Sequence, residues 1–200
     1  MSAWIFADLY EAIAETTPDN PCQYFGDTVY TWRDFNRRCN GLAADLIEAG
    51  LTRQSKVAAY LYNGPEYLET YVAAFKGGFA PVNTNYRYGA EEITYLFDNA
   101  DAEAVVFHAA FVPLVDSVRA ALPKVRRWYC VADGTHDIPG WAVDYSSVVA
   151  QGADGSVTGP WGRSPDDLLL LYTGGTTGMP KGVMWRQDDL FNVIGAGGNA

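Results

Sequence analysis

From Lys56 onward, short apolar runs alternate with stretches of helical spacing, and this alternation limits the fold more than any other feature. Lys56–Tyr62 leads into a helical pattern from Pro65 to Lys76. Phe79–Val82 leads into Ala90–Asn99, and Ala104–Phe107 into Phe111–Leu122. Val125–Val131 is a fourth run. Runs of four to seven apolar residues are too short for buried helices and fit strands covered on both faces. Strands alternating with helices predict βαβ units, so the expected fold is α/β, a largely parallel sheet layered with helices.

The first 50 residues have a different rhythm. Trp4, Ile5, Leu9, Ala12 and Ile13 recur at helical spacing and predict a helix over 3–16, ended by Pro18 and Pro21. Tyr24–Tyr30 reads as a small hairpin about Gly26-Asp27. Thr31 with Asp34 three residues on has the form of a capping box. Phe35, Cys39, Leu42, Ala43 and Leu46 then make one apolar stripe, stopped at Gly50. Residues 151–166, rich in Gly, Pro and Ser, read as a loop or boundary. The expected division is therefore a βα-layered unit over 1–165 and the start of a second unit over 166–200. The second unit has a buried strand at Asp167–Tyr172, a β-favouring run at Val183–Trp185 and a helix from about Asp188.

The 14 Lys and Arg against 24 Asp and Glu give a net charge of −10, which argues against nucleic acid or an anionic membrane surface as partner. No signal peptide or membrane span is present in this sequence, which predicts a cytoplasmic protein. The 3 cysteines lie far apart without a CxxC, so free thiols are expected rather than zinc or a redox pair. His108 and His136 lack a spaced nucleophile or carboxylate partner and read as structural. Asp166-Asp167 reads as a solvated loop and Asp188-Asp189 as a helix start, so no metal site is expected. Tyr60, Tyr62, Tyr67 and Tyr71 read as core and rim of the βα layer. Asn83–Tyr88 can reach an active site or simply connect a strand to a helix.

Chemistry concentrates in Leu171-Tyr172-Thr173-Gly174-Gly175-Thr176-Thr177-Gly178-Met179-Pro180-Lys181-Gly182. An apolar strand delivers a loop of glycines and threonines ending on Pro180 and Lys181. Glycines let backbone N–H groups converge on an anion. The hydroxyls of Thr173, Thr176 and Thr177 can donate to phosphate oxygens, and Lys181 adds a full positive charge. The pattern is not a P-loop of the NTPase type, which needs Gly before and Ser or Thr after the lysine and a helix beyond it. Here Pro180 and Gly182 flank Lys181, and a β-favouring run follows.

This segment resembles the phosphate-binding signature of the adenylate-forming superfamily, Tyr-Thr-Ser-Gly-Thr-Thr-Gly-x-Pro-Lys-Gly, with Gly174 where serine is commonest. Tyr30-Thr31-Trp32 and the helix ending at Gly50 are similar to the family's opening segment. Phe75–Asn83 is similar to its Lys-Ala-Gly block, with Tyr86, Glu91, Glu92, Ile93, Tyr95 and Leu96 continuing the pattern. The resemblance thus runs along the whole chain. It is nearest the acyl-CoA synthetase branch, and Gly182–Arg186 resembles actinobacterial fatty- and sterol-side-chain ligases. Position 187, often His near the acyl pocket of such enzymes, is Gln187 here.

The resemblance implies the N-terminal part of the large domain of an ATP-dependent acid–thiol ligase. A carboxylate attacks the α-phosphate of MgATP, giving acyl-adenylate and pyrophosphate; coenzyme A then displaces AMP. The partners are ATP, Mg2+, coenzyme A and a fatty or sterol-side-chain carboxylic acid. Thr173, Gly174, Gly175, Thr176, Thr177, Gly178 and Lys181 are the expected phosphate ligands. No catalytic residue is assigned up to residue 200, since the family's Tyr-Gly-x-Thr-Glu segment, ribose-binding Asp, hinge and late Lys lie further along. The chain is accordingly expected to be an N-terminal piece that does not complete the reaction alone. The alternatives are an adenylation domain serving a carrier protein and a non-catalytic nucleotide-binding module.

Overall fold

Every strand in the middle of the sheet is buried on both faces, and period-two alternation shows which helices cover each face. The computed structural model describes residues 5–174 and 178–194. Strands β1 (Pro21–Phe25) and β2 (Thr28–Thr31) form the antiparallel hairpin near the N-terminus. Seven further strands make the main sheet: β3 (Lys56–Tyr60), β4 (Ala80–Asn83), β5 (Ala102–His108), β6 (Arg127–Val131), β7 (Val143–Asp144), β8 (Leu168–Thr173) and β9 (Lys181–Arg186). Their spatial order is β7-β6-β5-β3-β4-β8-β9. All neighbours are parallel except β8 and β9. The protein is an α/β fold on a largely parallel sheet, as its strand–helix alternation predicts.

Seven α-helices accompany these strands among the described residues: α1 (Phe6–Thr16), α2 (Trp32–Glu48), α3 (Pro65–Gly77), α4 (Ala90–Asn99), α5 (Val112–Val118), α6 (Tyr145–Val149) and α7 (Gln187–Val193). Val57, Ala59, Ala104, Val106 and Tyr129 pack under α2, α3 and α6. The intervening Ala58, Tyr60, Val105, Phe107 and Trp128 pack under α4 and α5. On α4, Ile93, Leu96 and Phe97 are wholly buried, each contributing about 1.5–3 kcal/mol of apolar burial.

Local chemistry sets the boundaries. The α2 capping box forms as its sequence predicts: the Asp34 N–H donates to Thr31 Oγ1 and the Thr31 N–H to Asp34 Oδ2, both at 3.1 Å. Pro65 opens α3, and Gly78, at φ +73°, closes it. Glycine is required there twice over, because a Cβ would also lie 2.6 Å from Trp161 Nε1. The helix predicted over Phe111–Leu122 is broken into two 3-10 turns flanking the shorter α5. Pro113, with no N–H of its own, sits in the first turn of that helix.

Residues 152–167 hold no helix or strand but strap the outside of α2 and α3. Asn40 Nδ2 donates to Ala153 O and Gly155 O, both at 2.8 Å, and Trp161 Nε1 to Gly77 O at 2.9 Å. Beneath this strap lies a charged knot. Lys76, completely buried on α3, donates to Glu11 Oε1 at 2.5 Å and to Asn36 Oδ1 at 2.8 Å. Arg163 from the strap closes on the same Glu11 carboxylate at 2.8 and 2.9 Å.

The solvated loop expected at Asp166-Asp167 is only half right. Asp167 is 1% exposed, pairs with Arg53 at 2.9 Å and accepts from the Ser164 N–H. It lies just before β8 inside the fold, so its charge is neutralised by a partner rather than by water. Asp166 is exposed and pairs with Arg186. Among the described residues no helix is long and apolar enough to cross a membrane.

Candidate functional site: the carboxyl edge of the sheet

Open parallel sheets bind ligands beyond the carboxyl ends of strands whose crossovers leave in opposite directions. The strand order β7-β6-β5-β3-β4 reverses between β3 and β5, so that point lies there, and the loop leaving β3 borders it. The chain leaves β3 for α3 on one face and leaves β4 for α4 on the other. The two departing loops open a cavity of about 260 Å³. Leu61, Asn63 and Tyr67 line it from the β3 side, and Asn83–Tyr86 and Tyr88 from the β4 side. Tyr172 and Gly174, at the end of β8, complete the wall. Thr84, 3% exposed, has no hydrogen-bond partner for its hydroxyl among the described residues. The stretch Asn83–Tyr88 is thus both a connection and a wall of this cavity.

The Gly/Thr-rich segment is the turn between β8 and β9. Thr173 and Lys181 stand opposite one another as the last matched pair of these antiparallel strands. The loop therefore springs from two adjacent strands and returns into a strand, not a helix, which separates it from an NTPase P-loop. Thr173, Gly174, Gly178 and Lys181 are exposed, as groups that meet a soluble ligand must be. Gly175, Thr176 and Thr177 lie outside the described residues. A Cβ on Gly174 would sit 3.5 Å from the Tyr88 hydroxyl, an ordinary contact, so a serine would fit and crowding does not require the glycine. Crowding does require Gly182: its Cβ would lie 2.7 Å from Tyr172 Cζ. The Tyr172 ring cannot step aside, because its hydroxyl donates to Asn99 Oδ1 at 2.7 Å.

His108 ends β5 near this edge, with its imidazole 5.3 Å from the Tyr62 ring. Its Nδ1 accepts the Tyr62 N–H at 3.1 Å, which places the ring proton on Nε2 and ties β5 to the loop after β3. Burial lowers its pKa, against the attraction of Asp133. It is a structural tie, as its isolation in sequence suggests. Its native pKa is depressed, so the neutral ring stabilises the fold above the unfolded value of 6.5, and that contribution is lost as pH falls through the native value. We therefore expect the unfolding free energy to fall more steeply as pH drops below 6.5 in the wild type than in His108→Asn. Equal slopes in urea titrations would refute the assignment.

Gln187 does not open onto this cavity. It is fully buried at the start of α7, and its Oε1 accepts the Phe6 N–H at 3.1 Å. It thereby caps α1, whose own N-cap residue Ile5 supplies no side-chain bond. Among the described residues no group of three His, Cys, Asp or Glu could hold a metal ion. All three cysteines are free.

Comparison with known proteins agrees with the α/β fold. Residues 10–197 match the family of AMP-binding enzymes, and the chain belongs to that family. It is 38% identical over 203 residues to medium-chain acyl-CoA ligase Mig of Mycobacterium avium, a match covering 94% of this chain and 36% of that protein. It is 37% identical over 193 residues to the medium/long-chain-fatty-acid–CoA/3-oxocholest-4-en-26-oate–CoA ligase of Mycobacterium tuberculosis, covering 96% of this chain and 35% of that one. The chain thus spans little more than a third of the length of these curated relatives. The crystal structure of the anthranilate CoA ligase AuaEII with anthranoyl-AMP superposes with a TM-score of 0.85 at 20% identity, covering 97% of this chain and 38% of that one. That likeness shows the fold.

Proposed function

We propose that this chain is the phosphate-holding part of an ATP-dependent acid–thiol ligase. The observation that carries the reading is the Thr173–Lys181 segment, strung between β8 and β9 beside the cavity at the sheet's carboxyl edge in a chain of the AMP-binding family. In the proposed reaction a carboxylate oxygen attacks the α-phosphorus of ATP and pyrophosphate leaves. The thiolate of coenzyme A then attacks the acyl carbon, forming the thioester and releasing AMP. The first step brings two anions together, so alignment and charge neutralisation supply most of the rate.

The loop's role is to hold the β- and γ-phosphates and so orient the leaving pyrophosphate. Backbone N–H groups of Gly174, Gly175 and Gly178 converge on the phosphate oxygens. The hydroxyls of Thr173, Thr176 and Thr177 donate to them, and Lys181 neutralises charge. No residue of this chain is assigned to Mg2+, which comes with the nucleotide. The names of the two relatives favour a fatty or sterol-side-chain acid as substrate.

Carboxylate-dependent ATP–pyrophosphate exchange tests the reading. It is measured on the full product of the gene and on the 200-residue chain, across short, long and sterol-like acids. Exchange with one acid class, followed by CoA-dependent AMP release, supports the ligase. Exchange without CoA-dependent release points to a carrier-protein acceptor. No exchange from a well-folded protein overturns the reading in favour of a non-catalytic nucleotide-binding module.

A further inference from the structure

β4 meets β8 through a single backbone register, Val82 with Leu170. Past that point β4 turns away, and the Thr84 N–H donates to Ala59 O on β3. Tyr172 lies two residues further along β8, where β4 offers no backbone to receive it. Asn83 supplies the missing rung with its side chain. Its Nδ2 donates to Tyr172 O at 2.9 Å, and its Oδ1 accepts the Tyr172 N–H at 2.5 Å. A carboxamide carries the donor and acceptor of a peptide group, so one side chain does the work of a strand residue.

The clasped residue immediately precedes Thr173 and Gly174, where the proposed phosphate loop begins. Tyr172 is also the residue whose hydroxyl is held by Asn99 and whose ring covers Gly182 on β9. One residue therefore fixes both strands from which the loop springs, and Asn83 fixes that residue's backbone. We infer that Asn83 is a positioning residue for polyphosphate binding: its carboxamide sets where the loop's N–H groups start. The inference rests on the phosphate-holding reading given above.

The test uses Asn83→Asp in the full product of the gene. This isosteric change leaves an acceptor for the Tyr172 N–H and sets an oxygen against Tyr172 O. The Michaelis constant for ATP in pyrophosphate exchange should rise about tenfold to a hundredfold, the range for misplacing a binding group by up to an ångström. The constant for the carboxylic acid should stay within about twofold, since the acid does not use this loop. Tyr129→Phe is the stability control. It removes the bond from the Tyr129 hydroxyl to Asp45 at 2.6 Å, far from the loop, and should lower Tm without moving the ATP constant. An unchanged ATP constant in Asn83→Asp, or ATP and acid constants rising together, overturns the positioning role. Absence of exchange in the wild type defeats the phosphate reading before any variant is made, and this inference with it. Should Asn83→Asp fail to fold, Asn83→Ser takes the same measurement.

Discussion

Lys181→Ala should lower ATP–pyrophosphate exchange by the full product of the gene about a hundredfold to a thousandfold, the usual loss when one charge-stabilising donor is removed from a reacting centre. Folding should hardly notice. Lys181 is exposed at the first position of β9, and exposed substitutions of this kind stay within about 0.5 kcal/mol. The two readouts separate cleanly because the side chain belongs to no hydrophobic cluster. Exchange at the wild-type rate, or a loss matched by a fall in Tm, would remove Lys181 from the phosphate site.

The largest stability effect should come from Glu11→Ala. The Glu11 carboxylate receives Lys76 Nζ and both terminal nitrogens of Arg163, and it accepts the Ser156 hydroxyl at 3.0 Å. Lys76 is wholly buried and the Arg163 side chain 7% exposed. Arg163 keeps its pair with Asp8 at 2.8 Å, but buried Lys76 loses its carboxylate, a change that costs about 3–5 kcal/mol in comparable sites. Asp154→Ala removes a carboxylate from the exposed Arg37 pair and should cost no more than about 1 kcal/mol. Urea titrations of the two variants give the comparison, and a similar small loss in both would refute the argument.

The acid side of the stability profile should carry the same signature. Burial pushes the Glu11 pKa up, but its bonds to Arg163 and Lys76 outweigh this and the net shift is downward. Its contribution is therefore present above its unfolded value of 4.5 and disappears as pH falls through the lowered native one. Burial pulls the Lys76 pKa down, which is the cost that the carboxylate offsets.

Much of this architecture is legible in the sequence, for identifiable reasons. The β3–β6 strands show as apolar runs because both faces are covered, and the Thr31–Asp34 box shows because its partners are three residues apart. The β7–α6 pair is not legible. A strand of 2 residues and a helix of 5, capped by Asp144, give no periodic signal. The charged knot is equally silent, since Lys76 and Glu11 are 65 residues apart and Arg163 and Glu11 152 apart.

The site divides in the same way. The proposed phosphate segment Thr173–Lys181 stands out in the sequence, because glycines, hydroxyls and a lysine share one short stretch. The carboxamide clasp leaves no trace, because an asparagine that ends a strand before a turn has an ordinary local reading as a turn residue. Asp167 misleads for a related reason: its partner Arg53 is 114 residues away, so its neighbours in sequence suggest only a polar loop.

The single register between β4 and β8 has a kinetic meaning. The β8–β9 hairpin closes over a few residues, and hairpins form in about 1–10 μs. Its attachment to the sheet must wait for partners 89 residues away, and long loop closures are the slow steps of folding. The loop can thus take its local shape early yet gain its fixed place only when the last piece docks. Native-state hydrogen exchange should show this order. The Leu170 and Tyr172 amides should open at lower free energy than those of Ala58 and Val106, which lie on strands paired over four successive registers. The segment proposed to hold phosphate would then also be the first to let go of its own scaffold, leaving the rest of the sheet intact.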